Sequence, residues 1–227
     1  MNELYKIANK YSSSKSYMEY FETYYSFFLS FKYRKINILE IGVLDGESLR
    51  IWRDFFPNAN ICGFDIEKKN VNIPNVDIRF GDQTDVKFLG EIINDYKKFD
   101  IIIDDGSHIS KHIIRTFTYL FDYLNENGLY VIEDLQTSYF PRYGGSRINI
   151  NKNNTSMNFL KKLTDSVNYE NFDRPFYQKN KFDGKIQSIS FFQNIVFIKK
   201  GLSRNFLYKK KNINFTENLK KIVSKFF

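Results

Sequence analysis

From Ile36 onward the chain alternates short apolar runs with stretches of helical periodicity. The runs are INILEI (36–41), ANICGFDI (59–66), VDIRF (76–80), FDIIID (99–104) and LYVIED (129–134). Each is almost unbroken in aliphatic and aromatic residues, as a strand must be when helices cover both of its faces. Helical spacing between the runs predicts helices over about 47–56, 84–96 and 108–126. Strands and helices in this alternation build a parallel α/β sheet. IQSISFFQNIVFIKK (186–200) predicts two further strands about a tight turn at Gln193-Asn194, an antiparallel hairpin that closes the sheet edge. Ahead of the sheet, 15–33 reads as an aromatic helix. Residues 135–185 are polar and rich in Asn and Tyr, with one helix over about 155–167, and are expected to lie as an insertion across the carboxyl edge of the sheet.

A chain of 227 residues suits one well-buried domain, and 42% hydrophobic with 18% aromatic residues supplies its core. No segment approaches the roughly 20 consecutive apolar residues of a membrane span, and MNELYKIANK has no apolar signal core, so a cytoplasmic location is expected. Cys62 stands alone, which excludes an internal disulfide and a Cys-rich zinc site and predicts a small core residue. Nine Lys or Arg and one Glu between 199 and 227 account for the whole formal charge of +8. The tail 201–227 is therefore basic, and Phe215, Leu219, Ile222, Val223 and Phe226 fall at helical spacing opposite Lys220, Lys221 and Lys225. Such a helix suits an anionic membrane surface or a nucleic acid backbone. The preferred expectation is a helix docked on its own domain or on a partner subunit.

The first strand runs into Glu40-Ile-Gly42-Val-Leu-Asp-Gly46 and then a helix. Glycine at 42 and 46 admits a close backbone approach at the strand-to-helix turn. The pattern differs from the G-x-G-x-x-G fingerprint that cradles a pyrophosphate. A carboxylate two residues before the first glycine repels phosphate and attracts a cationic ligand, and S-adenosylmethionine carries a sulfonium and an ammonium. Asp65, about twenty residues on, ends the second strand where an acid can take both ribose hydroxyls, with Ile66 beside it. Asp82 and Gln83 follow the third strand and are placed for the adenine, and Asp104 closes the cofactor-contacting set.

If the strand order is 3-2-1-4-5, ligands sit beyond the carboxyl ends where the order reverses, between strands one and four. Strand four delivers Asp104, Asp105 and His108 to that place, and strand five delivers Glu133 and Asp134. Clustered carboxylates repel unless a cation lies among them, and hard oxygen ligands favour Mg²⁺ or Mn²⁺. Glu133 and Asp134 can share an ion only if the strand ends there, since neighbours on a strand face opposite ways. His108 is available as a general base beside such an ion. Helix capping by the aspartates and a surface role for His108 form the structural alternative. His112 is expected to be an exposed helix residue.

The stretches ILEIGVLDGESLRIWRDFFPNANICGFDI (38–66), FDIIIDDGSH (99–108) and GLYVIEDLQTSYFPRYGG (128–145), with the closing hairpin, resemble the class I S-adenosylmethionine-dependent methyltransferases. Within them the chain is similar to the metal-dependent sugar O-methyltransferases of the macrolide type, also labelled cephalosporin hydroxylase-like. The resemblance implies a Rossmann-like, seven-stranded, mostly parallel sheet with an antiparallel carboxyl-terminal hairpin and helices on both faces. It implies that Asp105, Glu133 and Asp134 hold Mg²⁺ (or Mn²⁺), with His108 as the base and Asp105 part of the catalytic set. It also implies that the Tyr139–Gly145 stretch, with Tyr139, Tyr143 and Gly144, shapes the acceptor site. NKYSSSKSYMEYFETYY resembles the family's segment that folds over the cofactor, with Tyr11, Ser13 and Lys15 at matching places. On this basis 1–200 is one methyltransferase domain with a helical lid over 1–35.

The expected activity is methyl transfer to a sugar hydroxyl, of a surface glycan or its nucleotide-linked precursor. A phosphoramidate or other small polar acceptor is one rival, and an RNA methyltransferase using the tail is another. The leading expectation needs no nucleic-acid partner and leaves open a homodimer and a membrane contact of the tail.

Overall fold

The computed structural model describes residues 2–11, 20–68, 70–171 and 178–202. Seven strands form one sheet in the order β3-β2-β1-β4-β5-β7-β6. β1 (Asn37–Ile41), β2 (Asn60–Asp65), β3 (Val76–Phe80), β4 (Phe99–Asp104) and β5 (Leu124–Ile132) are parallel. β6 (Ile186–Phe192) and β7 (Ile195–Lys200) form the expected hairpin, with β7 antiparallel to β5. The strand order reverses between β1 and β4, which leaves a crevice beyond their carboxyl ends.

Helices cover both faces because each strand sends alternate side chains to opposite layers. Ile101 and Ile103 of β4 join a layer formed by α1 (Glu3–Ala8), α2 (Tyr20–Phe28) and α3 (Glu47–Phe55). Ile102 joins the opposite layer with α4 (Val86–Tyr96), α5 (Ser110–Leu120) and α6 (Ser156–Asn168), which also holds the buried Cys62. This is the Rossmann-like methyltransferase architecture anticipated above. Among the described residues no helix is long and apolar enough to cross a membrane.

Three elements differ from expectation. α1 is a helix absent from the periodicity argument; it starts at an Asn2 cap whose side chain accepts from the Tyr5 N–H at 2.8 Å. The helix expected over 108–126 ends at Leu120, and β5 begins at Leu124, well before the apolar run. Buried Lys200 explains the early stop: its Nζ donates to the carbonyls of Phe121 (3.0 Å), Asp122 (3.2 Å) and Leu124 (2.7 Å), filling acceptors that a helix end leaves open. Finally, the helices of the segment expected as a lid are core. Leu4, Phe21, Tyr24 and Phe28 are fully buried, and the Phe28 ring packs on Tyr24, Trp52 and Phe56 at 4.8, 5.5 and 5.4 Å. Phe28→Ala should therefore lower unfolding stability by about 3–5 kcal/mol in a denaturant titration, the usual cost of an aromatic-to-alanine cavity. Ser13 and Lys15 lie outside the described residues, as does the tail from 203 onward.

Candidate active site

The glycine loop leaves β1 at Gly42, whose φ of +90° is a left-handed conformation. A Cβ there would stand 2.2 Å from the Asp105 carbonyl oxygen, so the close approach demanding glycine comes from the chain itself. Gly46 (φ +74°) caps α3, and a Cβ on it would meet the Val71 and Ile73 side chains at 2.7 and 2.9 Å. Asp65 braces the loop: its Oδ2 accepts from the Val43 and Leu44 N–H groups at 3.0 and 3.1 Å, and its Oδ1 from that of Glu67 at 3.0 Å. Glu40 is fully buried under the loop and accepts from the Ser48 hydroxyl at 2.9 Å. Ile66 is exposed at the rim. Asp82 accepts from the Thr84 N–H and hydroxyl at 2.7 and 2.9 Å, the N–H contact being the main reason its carboxyl is held below the usual range.

Across the crevice, β4 ends at Asp104. Its side chain is buried, one oxygen has no hydrogen-bond partner among the described residues, and burial pushes its pKa up to about 7. Gln83 spans the crevice. Its Oε1 accepts from the Ser107 N–H at 2.8 Å, and its Nε2 donates to Asp104 Oδ1 at 3.4 Å and Thr116 Oγ1 at 3.2 Å. The side chain expected at the adenine is thus engaged in fixing the loop that carries Asp105 and His108.

Asp105, His108 and Asp134 come together, each offering a ligand atom such that all lie within 4.8 Å of one another. His108 Nε2 is 3.8 Å from Asp134 Oδ2. Both residues take left-handed backbone, with φ of 56° and 54°, and so does Leu44 of the glycine loop at 48°. Four of the other five described non-glycine residues with positive φ are Asn, which tolerates this region as Asp and His do, so of the three at the site Leu44 carries the clearest strain. Thr137 secures both bends, its hydroxyl donating to the carbonyls of Asp134 at 2.7 Å and His108 at 3.1 Å. β5 ends at Ile132, so Glu133 and Asp134 escape strict strand alternation. Even so Glu133 stays outside the three-residue group; it is buried, and Tyr24 Oη donates to its Oε1 at 2.5 Å.

A cavity of about 520 Å³ joins the two halves. Gly42, Asp65, Ile66, Asp82 and Gln83 line it on one side, and Asp105, His108 and Asp134 on the other. Glu40, Asp104 and Glu133 sit behind the lining, and Gly46 lies beside it. Tyr139, Tyr143 and Gly144 all stay outside the lining; of them Tyr143 meets a lining residue, its ring 6.4 Å from that of His108. Tyr11 is outside the lining, and its hydroxyl donates to Asp54 at 2.7 Å. His112 is half-buried in the lining and shares a 3.0 Å hydrogen bond with Ser107, a place the exposed-helix expectation missed.

No family profile matches the chain. Mycinamicin VI 2''-O-methyltransferase of Micromonospora griseorubida is 34% identical over 210 residues, 88% of this chain and 53% of that protein. The chain is a homologue of sugar O-methyltransferases. A rhamnosyl tetracenomycin-C 2'-O-methyltransferase of Streptomyces olivaceus is 36% identical over 190 residues, 80% of this chain and 50% of the relative. The chain thus spans about half the length of the curated O-methyltransferases it matches. Among solved structures, the MycE methyltransferase in complex with Mg, SAH and mycinamycin VI superposes with a TM-score of 0.83 at 33% identity, covering 88% of this chain and 54% of that one.

In this O-methyltransferase homologue, sequence reasoning overlooked two residues that touch the acids. Tyr20 Oη donates to Asp134 Oδ1 at 3.3 Å, and Tyr24 reaches Glu133. Burial first, and then the neighbouring carboxylates, push both phenols above their ordinary pKa, so both are donors at neutral pH. The signal was present as an i, i+4 pair of tyrosines on one helix face.

Proposed function

We propose that the chain transfers a methyl group from S-adenosylmethionine to a sugar hydroxyl with the help of Mg²⁺ or Mn²⁺. The observation that carries this reading is the convergence of Asp105, His108 and Asp134 at one end of a cavity whose other end holds Asp65 and Asp82. Two carboxylates and an imidazole within 4.8 Å form a hard, oxygen-rich donor set that fits such a cation. We assign Asp105, Asp134 and Glu133 as its ligands; when bound, the ion polarises an acceptor hydroxyl and fixes its position. The Asp65 half of the cavity takes the adenosine, and the acceptor enters past Tyr143. His108 receives the hydroxyl proton as the acceptor oxygen displaces sulfur at the methyl carbon, so an O–C bond forms, the C–S bond breaks and S-adenosylhomocysteine leaves.

For the acceptor we favour a cell-surface glycan or its nucleotide-linked precursor. Support comes from charge: from 135 to 152 the chain has no Asp or Glu but carries Arg142, Arg147 and Lys152, with Arg142 stacked 4.8 Å over the Tyr143 ring. A phosphate or uronate near the reacting sugar would meet these cations. The test uses methyl-labelled S-adenosylmethionine, Mg²⁺ and a panel of nucleotide-linked sugars, capsular oligosaccharides and neutral free sugars. Methylation of the charged acceptors is expected, and methylation of neutral sugars alone would overturn that choice. Metal stabilisation is worth several kcal/mol, so chelation with EDTA should lower turnover about 100-fold or more, with recovery on adding Mg²⁺ or Mn²⁺. Turnover that survives chelation would remove the metal from the reading.

A further inference from the structure

We infer that Tyr24, with Tyr20 one turn before it, is a positioning residue that sets the acids after β5 for a divalent cation. The inference rests on the metal reading given above and names the part of the fold that makes it work. Glu133 and Asp134 are consecutive and follow the end of β5 at Ile132. Asp134 reaches Asp105 and His108, while Glu133 is left in a buried position on the α2 side of the sheet. A carboxylate there keeps its charge and a single orientation only if fixed donors replace water.

α2 provides those donors at the spacing of one helical turn. Tyr24 is fully buried, and its ring is set between Trp52 at 5.0 Å, Phe28 at 4.8 Å and Phe197 at 5.3 Å. Rings on three sides leave the hydroxyl one direction, along which Glu133 Oε1 stands at 2.5 Å. Tyr20, also buried, lies 3.3 Å from Asp134 Oδ1 and 3.4 Å from the Asn194 carbonyl in the hairpin turn. One helix therefore bonds both acids from the side away from the cavity. A phenol can donate to a carboxylate without competing as a charge, so it orients the ligand and leaves its negative charge for the ion. Partners of this kind, one layer behind metal ligands, change metal affinity by about 10- to 100-fold when removed.

The experiment is Mn²⁺ binding to the full chain saturated with S-adenosylhomocysteine, read as free Mn²⁺ by electron paramagnetic resonance. Tyr24→Phe keeps the ring and removes the donor, and is expected to weaken Mn²⁺ binding about 10- to 100-fold. Affinity for S-adenosylhomocysteine should stay within about twofold of wild type, which general damage to the core would not allow. Tyr24→Phe in a Glu133→Gln background should add little, because the two act through one contact. Should Tyr24→Phe fold poorly, Tyr20→Phe carries the same test on Asp134. Wild-type binding with an unchanged Kd in Tyr24→Phe, or full additivity with Glu133→Gln, overturns the inference alone. A wild-type chain that takes up no Mn²⁺ overturns the metal reading together with it.

Discussion

His108→Ala is expected to lower kcat for methyl transfer by about 10²- to 10⁴-fold, the range of a positioned general base. The geometry leaves two roles for this imidazole. It is half-buried in the cavity wall, with Nε2 3.8 Å from Asp134, and its ligand atom falls within the same 4.8 Å group as Asp105 and Asp134. If His108 were a ligand only, the variant would bind Mn²⁺ weakly, and a large excess of Mg²⁺ would restore its turnover. As a base, it leaves a deficit that persists at saturating Mg²⁺. The place of the ring favours the second role: it lines the cavity and faces Tyr143 across 6.4 Å. Affinity for S-adenosylhomocysteine serves as the control and should not change, since the end of the cavity that we propose for the adenosine lies with Asp65 and Asp82 across the crevice. Turnover within tenfold of wild type in His108→Ala would end its assignment as the base.

The central parallel strands were legible because burial on both faces leaves continuous apolar runs, and β4 begins and ends where its run does; β3, at the sheet edge, is only partly buried and carries Asp77 and Arg79. The hairpin at Gln193-Asn194 was legible for a different reason, the tight turn between two β-rich stretches. What periodicity could not show was packing between distant segments. α1 is a short helix whose apolar positions make sense only against α2 and α3. The early start of β5 depends on Lys200, some 76 residues away, filling the carbonyls that end the preceding turn. At the site, D-D-G-S-H and the E-D pair announced where carboxylates would gather, and Asp105 and Asp134 do gather. Glu133 stays outside that group and is bonded to a tyrosine 109 residues upstream, a partner that leaves no local signature. Gln83 shows the same limit: its place after the third strand brought it to the cavity as expected, while the bond from the Ser107 N–H to its amide oxygen had no local signal.

Gly42→Ala should damage both halves of the site at once. Alanine at a φ of +90° carries a strain of about 1–2 kcal/mol, which Gly46→Ala at +74° would share. The two positions part in what their new methyl groups meet. At Gly46 the nearest atoms are the Val71 and Ile73 side chains, which can turn aside. At Gly42 the methyl lands 2.2 Å from the Asp105 carbonyl oxygen and 2.9 Å from its carbon, so relief requires moving the backbone of Asp105 itself. That backbone is fastened to β1, its N–H donating to the Ile41 carbonyl at 3.0 Å, and Gly106 beyond it is packed against Gln83. A shift of Asp105 therefore alters the spacing to His108 and Asp134 as well as the glycine loop that we propose meets the cofactor. The expected outcome for Gly42→Ala is a loss of about tenfold or more in both Mn²⁺ and S-adenosylhomocysteine affinity, which corresponds to about 1.4 kcal/mol each. Gly46→Ala should weaken S-adenosylhomocysteine alone and leave Mn²⁺ binding near wild type. Equal losses in the two variants would mean that the glycine loop and the acid cluster are not mechanically joined at Asp105.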